Sequence, residues 1–232
     1  MYDADLVRDG VPFAAMEITS AADQQAIEFW KLVNGADTRW TEPNLEGGWM
    51  VTATPTARAR SLQRELPDLL RTLENTAEEG VCRAAFERLR ALGVLSVNQG
   101  ATDFVGSICV TVEMQSEASG GVVPSTGDGL VRWLDRWIRE PAQEHNLTKL
   151  AAAERPQRHL FVLLPGFTSA PFEASYVLMR PAGPLPKAPP ALPGDVTDVW
   201  LMSTWTTGDV FHFGNHRWSR SPKVSPLTSY QA

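Results

Sequence analysis

The chain is 232 residues long, 43% hydrophobic and 21% charged, with a formal net charge of −6; this is ordinary globular composition, and eight Trp and nine Phe supply enough apolar surface for a core that needs no disulfide or structural metal. The acidity argues against strong nonspecific phosphate binding, although a local basic groove stays open. No apolar run approaches the roughly 18–20 residues of a membrane span, and the start Met-Tyr-Asp-Ala-Asp-Leu has neither a basic nor an apolar signal region, so no membrane contact and a cytoplasmic location are expected.

Ala4 to Arg8 and Val11 to Thr19 read as two strands around Asp9-Gly10, a hairpin signal. Ala22 to Asn34 sets Ala22, Ala26, Phe29, Trp30 and Val33 at helical spacing, with Gly35 as C-cap. A strand at Gly48 to Thr54 follows. Thr56 is then placed to cap a helix bearing Leu62, Leu66, Leu69, Leu70 and Leu73, kinked or divided by Pro67. Cys82 to Leu92 predicts a helix burying Ala85, Phe86, Leu89 and Leu92, and Val94 to Val97 and Ser107 to Met114 predict strands, the second alternating Ile108, Val110, Val112 and Met114 on one face. Cys82 and Cys109 have no ligand spacing and read as buried free thiols.

Glu117 to Gly127 is a Gly/Ser-rich loop whose amides, including Gly120 and Gly121, could hold an anion or simply flex. Asp128 is placed to cap a helix reaching Glu140, with Leu130, Trp133, Leu134, Trp137 and Ile138 in one stripe, and Pro141 opens a further helix to Ala153. His159 to Leu164 is continuously apolar, the pattern of a central strand covered on both faces. Six prolines in 181–193 make that segment a loop, and Thr197 to Trp205 with Asp209 to Phe213 form a hairpin turning at Thr207-Gly208. The expected class is α/β, one domain over residues 1–232 with a central mixed sheet flanked by helices. That sheet takes the N-terminal hairpin, 48–54, 107–114, 159–164 and 197–205.

Dinucleotide-binding, P-loop, nucleophile-elbow, zinc-protease and EF-hand motifs are absent. What remains is a carboxylate in the wrong place: Glu17 interrupts the apolar run Phe13-Ala-Ala-Met-Glu-Ile-Thr19, while Asp5 lies on the preceding strand. A carboxylate in a buried strand is costly unless paired, protonated or bound to a cation. Two on adjacent strands could hold a hard divalent ion, Mg²⁺ or Mn²⁺, that activates water against a phosphodiester. The alternative is that both face solvent.

An acid on one strand, Glu-x-Lys on the next and then a helix resembles the PD-(D/E)xK restriction-endonuclease-like nucleases, through Asp5 and Glu17-Ile18-Thr19. The resemblance covers residues 1–35 and 128–165. It implies a restriction-endonuclease-like fold, a nucleic-acid substrate and Asp5 and Glu17 as metal ligands. Thr19 stands in the lysine position, and Thr supplies no cation. In that superfamily the lysine can sit on a nearby helix, so Lys31 or Lys149 is the expected substitute beside Glu17.

A different class of function is also open. Residues 1–46 hold nine acids against three bases, among them Asp23, Glu28 and Asp37, and such a face would steer a basic protein partner to a non-catalytic module. His159 reads as a satisfied core histidine or a base, and His212 with His216 as hairpin residues or metal ligands. Asp195 and Asp198 read as turn caps. Trp205, Phe211, Phe213, Arg217, Trp218 and Arg220 read as hairpin packing or as a base-stacking surface.

Overall fold

The computed structural model describes residues 1–35, 40–100, 104–113 and 126–223. In chain order the elements are β1 (Ala4–Arg8), β2 (Val11–Ser20), α1 (Gln24–Asn34), β3 (Trp49–Ala53), α2 (Ala59–Asn75), α3 (Glu79–Ala91), β4 (Val94–Gln99), β5 (Ile108–Val112), α4 (Asp128–Trp137), α5 (Glu144–Ala151), β6 (Gln157–Leu164), α6 (Phe172–Met179), β7 (Asp198–Ser203), β8 (Asp209–Gly214) and β9 (Arg217–Pro222). The fold is mixed α/β with a central six-stranded mixed sheet. The chain divides into two compact units, one from Met1–Ala22 with the described part of Gln115–Ala232, the other within Asp23–Met114. Among the described residues no helix is long and apolar enough to cross a membrane.

In the first unit, Asp9 (φ 52°) and Gly10 (φ 79°) both sit in the left-handed region, as a two-residue hairpin turn requires. The strand order is β1-β2-β6-β7-β8-β9, with β6 parallel to both β2 and β7 and the remaining pairs antiparallel. One face carries the core: Leu160, Val162, Leu164, Val199, Leu201, Phe211 and Phe213 meet the α4 stripe of Leu130, Trp133, Leu134, Trp137 and Ile138, with Leu150 of α5 and Val177 and Leu178 of α6. Trp133 and Trp137 stack at 5.6 Å. The stripe is core, as its spacing predicts.

The Pro-rich segment is held by the few amides it retains. Asp128 accepts from the Lys187 and Ala188 amides and Asp135 from the Ala191 amide, while Trp218 Nε1 donates to the Ala188 carbonyl. Asp128 therefore serves this loop and not the cap of α4, whose N-cap residue is Gly127. Two elements had no reading in the sequence: α6, which is apolar nearly all round, and the edge strand β9, Arg-Trp-Ser-Arg-Ser-Pro. The expectation of a β6 covered on both faces is corrected. Leu160, Val162 and Leu164 are buried, whereas Gln157, Phe161 and Leu163 on the other side are only half-buried.

The second unit corrects the sheet itself. Strands at 49–53 and 108–112 do not join the six-stranded sheet; β3 pairs antiparallel with β4 and parallel with β5 in a sheet of their own. Alternating burial marks a half-buried strand but carries no label for its partner, and nearby strands cost less loop entropy to pair. Helix α2 starts at Ala59 behind an Arg58 that makes no capping bond, so Thr56 is not its cap, and Pro67 lies inside one helix. Phe86 is 45% exposed and Cys109 is exposed, contrary to their reading as core; Cys82 is half-buried. Met114, Gly120, Gly121 and Asp37 lie outside the described residues.

Truncating Trp137 to Ala removes a side chain that is 2% exposed. Urea unfolding is expected to show a loss of about 3–5 kcal/mol, the cost of deleting a large buried aromatic; a far smaller loss would mean that the stripe is not core.

Candidate functional site

Glu17 lies on the helix-covered face of β2, between Ala15 and Thr19 and opposite Leu160 of β6. It is 1% exposed, and burial of an ionised carboxylate demands a partner. The partner is Lys149 on α5, which packs against β2: its Nζ stands 2.6 Å from Glu17 Oε1. The hydrogen bond that Lys149 donates to Glu17 raises the lysine's pKa above its ordinary value, against the opposing effect of burial. One turn back on α5, Asn146 donates to Thr19 Oγ1 at 3.1 Å and also contacts the buried Gln143 side chain. Alternate residues of a strand thus meet residues three apart on a helix, Glu17 and Thr19 with Lys149 and Asn146. Asn146 and Gln143 were missed in the sequence, where their only signal is polarity on the helix side facing the sheet.

Glu17 Oε2 is buried and has no hydrogen-bond partner among the described residues. Asp5 shares the hairpin face with Glu17 but sits opposite Ala15. It accepts from Arg155 Nε at 3.0 Å and Tyr2 Oη at 2.8 Å, and these bonds, Arg155 foremost, hold its carboxyl below the usual range. Asp3 is the acid that continues the register toward Glu17: its amide donates to the Met16 carbonyl, its Oδ2 accepts from the Ile18 amide, and its charge helps to raise the Lys149 pKa. Lys31 is exposed in the last turn of α1, in the other unit.

The acidity of residues 1–46 is partly answered inside the fold. Glu17 pairs with Lys149, Asp5 with Arg155 and Glu42 with Arg71, while Asp23 caps α1 through the Ala26 amide. These three ion pairs answer half of the excess of six acids in residues 1–46, and Glu28 remains exposed on α1.

A second polar cluster occupies the opposite face of the six-stranded sheet. Asp198 of β7, 8% exposed, lies between His159 Nε2 at 3.3 Å and His212 Nε2 at 2.8 Å, and accepts from Thr197 Oγ1 at 2.8 Å. Burial alone would raise its pKa; the bonds from His212 and Thr197 and the two imidazoles outweigh it and hold the carboxyl below its ordinary value. The Trp200 indole N–H, which can only donate, points at His159 Nδ1 at 3.1 Å. His159 therefore carries its proton on Nε2 and gives it to Gln157 Oε1, with Asp198 Oδ2 3.3 Å away. Both of its nitrogens are spent, and it is neither a free base nor a metal ligand. Among the described residues no group of three His, Cys, Asp or Glu side chains is arranged for a metal.

Asp198 is thus a buried hydrogen-bond acceptor, not a turn cap. Gly214 permits the arrangement, because a Cβ there would fall on Asp198 Oδ1 and the His212 ring. His216 (φ 59°) forms the left-handed β8–β9 turn with Asn215 (φ 51°), which puts it off the strand that carries His212. Of the aromatics read as a stacking surface, Phe211 and Phe213 belong to the core and Trp218 packs against it.

Burial lowers the His159 pKa below its ordinary 6.5. A depressed imidazole stabilises the fold fully above the unfolded value and loses that contribution as pH falls from there through the folded value. Stability in urea is accordingly expected to decline from about pH 6.5 downward, and His159→Gln should flatten the decline. Separately, Lys149→Met strands the Glu17 carboxylate, so this variant should melt below the Glu17→Leu/Lys149→Met double variant; the reverse order would mean that Glu17 does not need its partner.

Compared with known proteins, the chain matches no family model, no curated protein and no solved structure.

Proposed function

We propose that the unit built on the six-stranded sheet is a nuclease-like domain acting on phosphodiesters, in which a lysine on α5 replaces the one expected on β2. The observation that carries this reading is the 2.6 Å contact between Lys149 Nζ and Glu17 Oε1. An antiparallel hairpin with acids on one face, followed by a helix and a strand parallel to the second hairpin strand, supports it. The restriction-endonuclease-like fold belongs to the same proposal.

The residues fit a divalent ion on two counts. Glu17 Oε2 is a buried oxygen with no partner among the described residues, and Asp3 lies next along the same face. Mg²⁺ keeps several waters and is commonly held by one or two carboxylates together with substrate phosphates, so two acids suffice. Asp3 and Glu17 would hold the ion, with Asp5 committed to Arg155. A bound Mg²⁺ or Mn²⁺ supplies Lewis acidity and a more acidic water. Lys149 places a fixed positive charge where negative charge grows on the phosphate, and Asn146 keeps the neighbouring Thr19 hydroxyl oriented. Lys149 is 23% exposed and covers Glu17, so its charge would stand beside any ion that Glu17 Oε2 and Asp3 held.

Calorimetric titration of Mn²⁺ into the wild type should give binding heat that Glu17→Ala and Asp3→Asn reduce. Plasmid and single-stranded oligonucleotide cleavage in Mg²⁺ or Mn²⁺ should fall about 100-fold or more in Lys149→Ala, the scale of losing one electrostatic stabiliser. Heats identical in wild type and a folded Glu17→Ala variant would remove the metal site, and unaltered cleavage in Lys149→Ala would remove the lysine's role.

A further inference from the structure

The face of the six-stranded sheet opposite α4, α5 and α6 holds a cavity of about 680 Å³, within the size range of small-molecule sites. We propose that this cavity binds a nucleotide, its base against Phe161 and Trp200 and its phosphate on Arg8. The proposal stands on side chains remote from the Glu17–Lys149 pair and does not depend on the nuclease reading.

The walls are flat rings supplied by adjacent strands. Phe161 and Trp200 are register partners on β6 and β7, with side chains on the same face, and the Trp200 indole is itself stacked on His212 at 3.8 Å and 15°. Phe13 closes one end. The β1–β2 register slips between Leu6 and Val7, leaving Phe13 without a partner on β1, and its ring meets His159 edge-on at 6.4 Å. A bulge that turns a side chain toward a site is a recurrent device. Aromatic faces presented by a sheet stack bases irrespective of sequence.

The floor is polar, and this favours a base over a hydrocarbon. Gln157 uses its Oε1 for His159, while its amide hydrogens have no partner among the described residues. Beside it stands the Asp198 carboxylate, whose position is locked by His159, His212 and Thr197. A donor and an acceptor side by side under aromatic walls match the edge of a nucleobase; an apolar ligand would leave the Gln157 amide hydrogens unpaired at a cost. At the mouth, the Arg8 guanidinium lies 4.7 Å over the Phe13 ring and makes no ion pair among the described residues. An unneutralised guanidinium at a cavity mouth suits a phosphate.

A free mononucleotide and one residue of a single strand offer the same chemistry, and calorimetry can separate them. AMP, GMP, CMP and UMP, the matching nucleosides and a short single-stranded oligonucleotide would each be titrated into the full chain at millimolar concentration. At least one mononucleotide should bind, and Arg8→Ala should weaken it about tenfold while leaving its nucleoside unchanged, as for one charge-assisted contact. Trp200→Leu should abolish both. All titrations are run in EDTA, which leaves no divalent ion for Glu17 and Asp3 and keeps this result separate from the metal site. An oligonucleotide binding more tightly than the mononucleotide, with the same Arg8 dependence, assigns the site to a strand; equal affinity assigns it to free nucleotide. Binding of no nucleotide, or mononucleotide affinity unmoved by Arg8→Ala, overturns the proposal. If Trp200→Leu does not fold by circular dichroism, the exposed Arg8→Ala and the half-buried Gln157→Ala decide it instead.

Discussion

Strand β6 pairs on both sides with parallel strands, and its two-residue period divides the chemistry of the sheet. Leu160, Val162 and Leu164 enter the core under α4, α5 and α6, while Gln157, His159 and Phe161 turn to the other side. Because the strand is fixed by β2 and β7 at once, slipping its register by one residue would drive His159 into the apolar layer and Leu160 out of it. The same register sets Glu17 opposite Leu160 and Asp198 opposite His159. Both polar clusters therefore inherit their positions from one hydrophobic alternation.

The two clusters solve the problem of a buried carboxylate differently. Glu17 is compensated by a full charge, Lys149, and keeps one oxygen without a partner among the described residues. Such a group is poised to accept a further cation or donor, since the unmade bond costs more than a formed one contributes. Asp198 is held by the His212 imidazole and the Thr197 hydroxyl, one on each carboxylate oxygen, with His159 Nε2 3.3 Å away, and these contacts fix its orientation.

Much of the architecture follows from local patterns. The Asp9-Gly10 turn and the α4 stripe rest on interactions within a few residues: left-handed backbone at Asp9 and Gly10, and helical spacing of apolar side chains. The oddity of Glu17 was equally visible, because a carboxylate inside an apolar strand is costly wherever that strand goes. Phe86 and Cys109 misled, since an apolar residue at a permitted spacing need not find cover.

The sequence alone therefore determined the class of fold, most helices and strands, and the need of Glu17 for a partner. Only tertiary structure decided who that partner is. Lys149 lies 132 positions away, and Lys31 was an equal candidate until α5 docked on β2. Tertiary pairing likewise chose Asp3 over Asp5 as the acid next to Glu17, sent β3 and β5 to a sheet of their own, and gathered His159, Asp198 and His212 from three strands. Each of these depends on strand register and on which elements meet across long stretches of chain. Those are properties of the whole packed molecule, and no local run of residues encodes them.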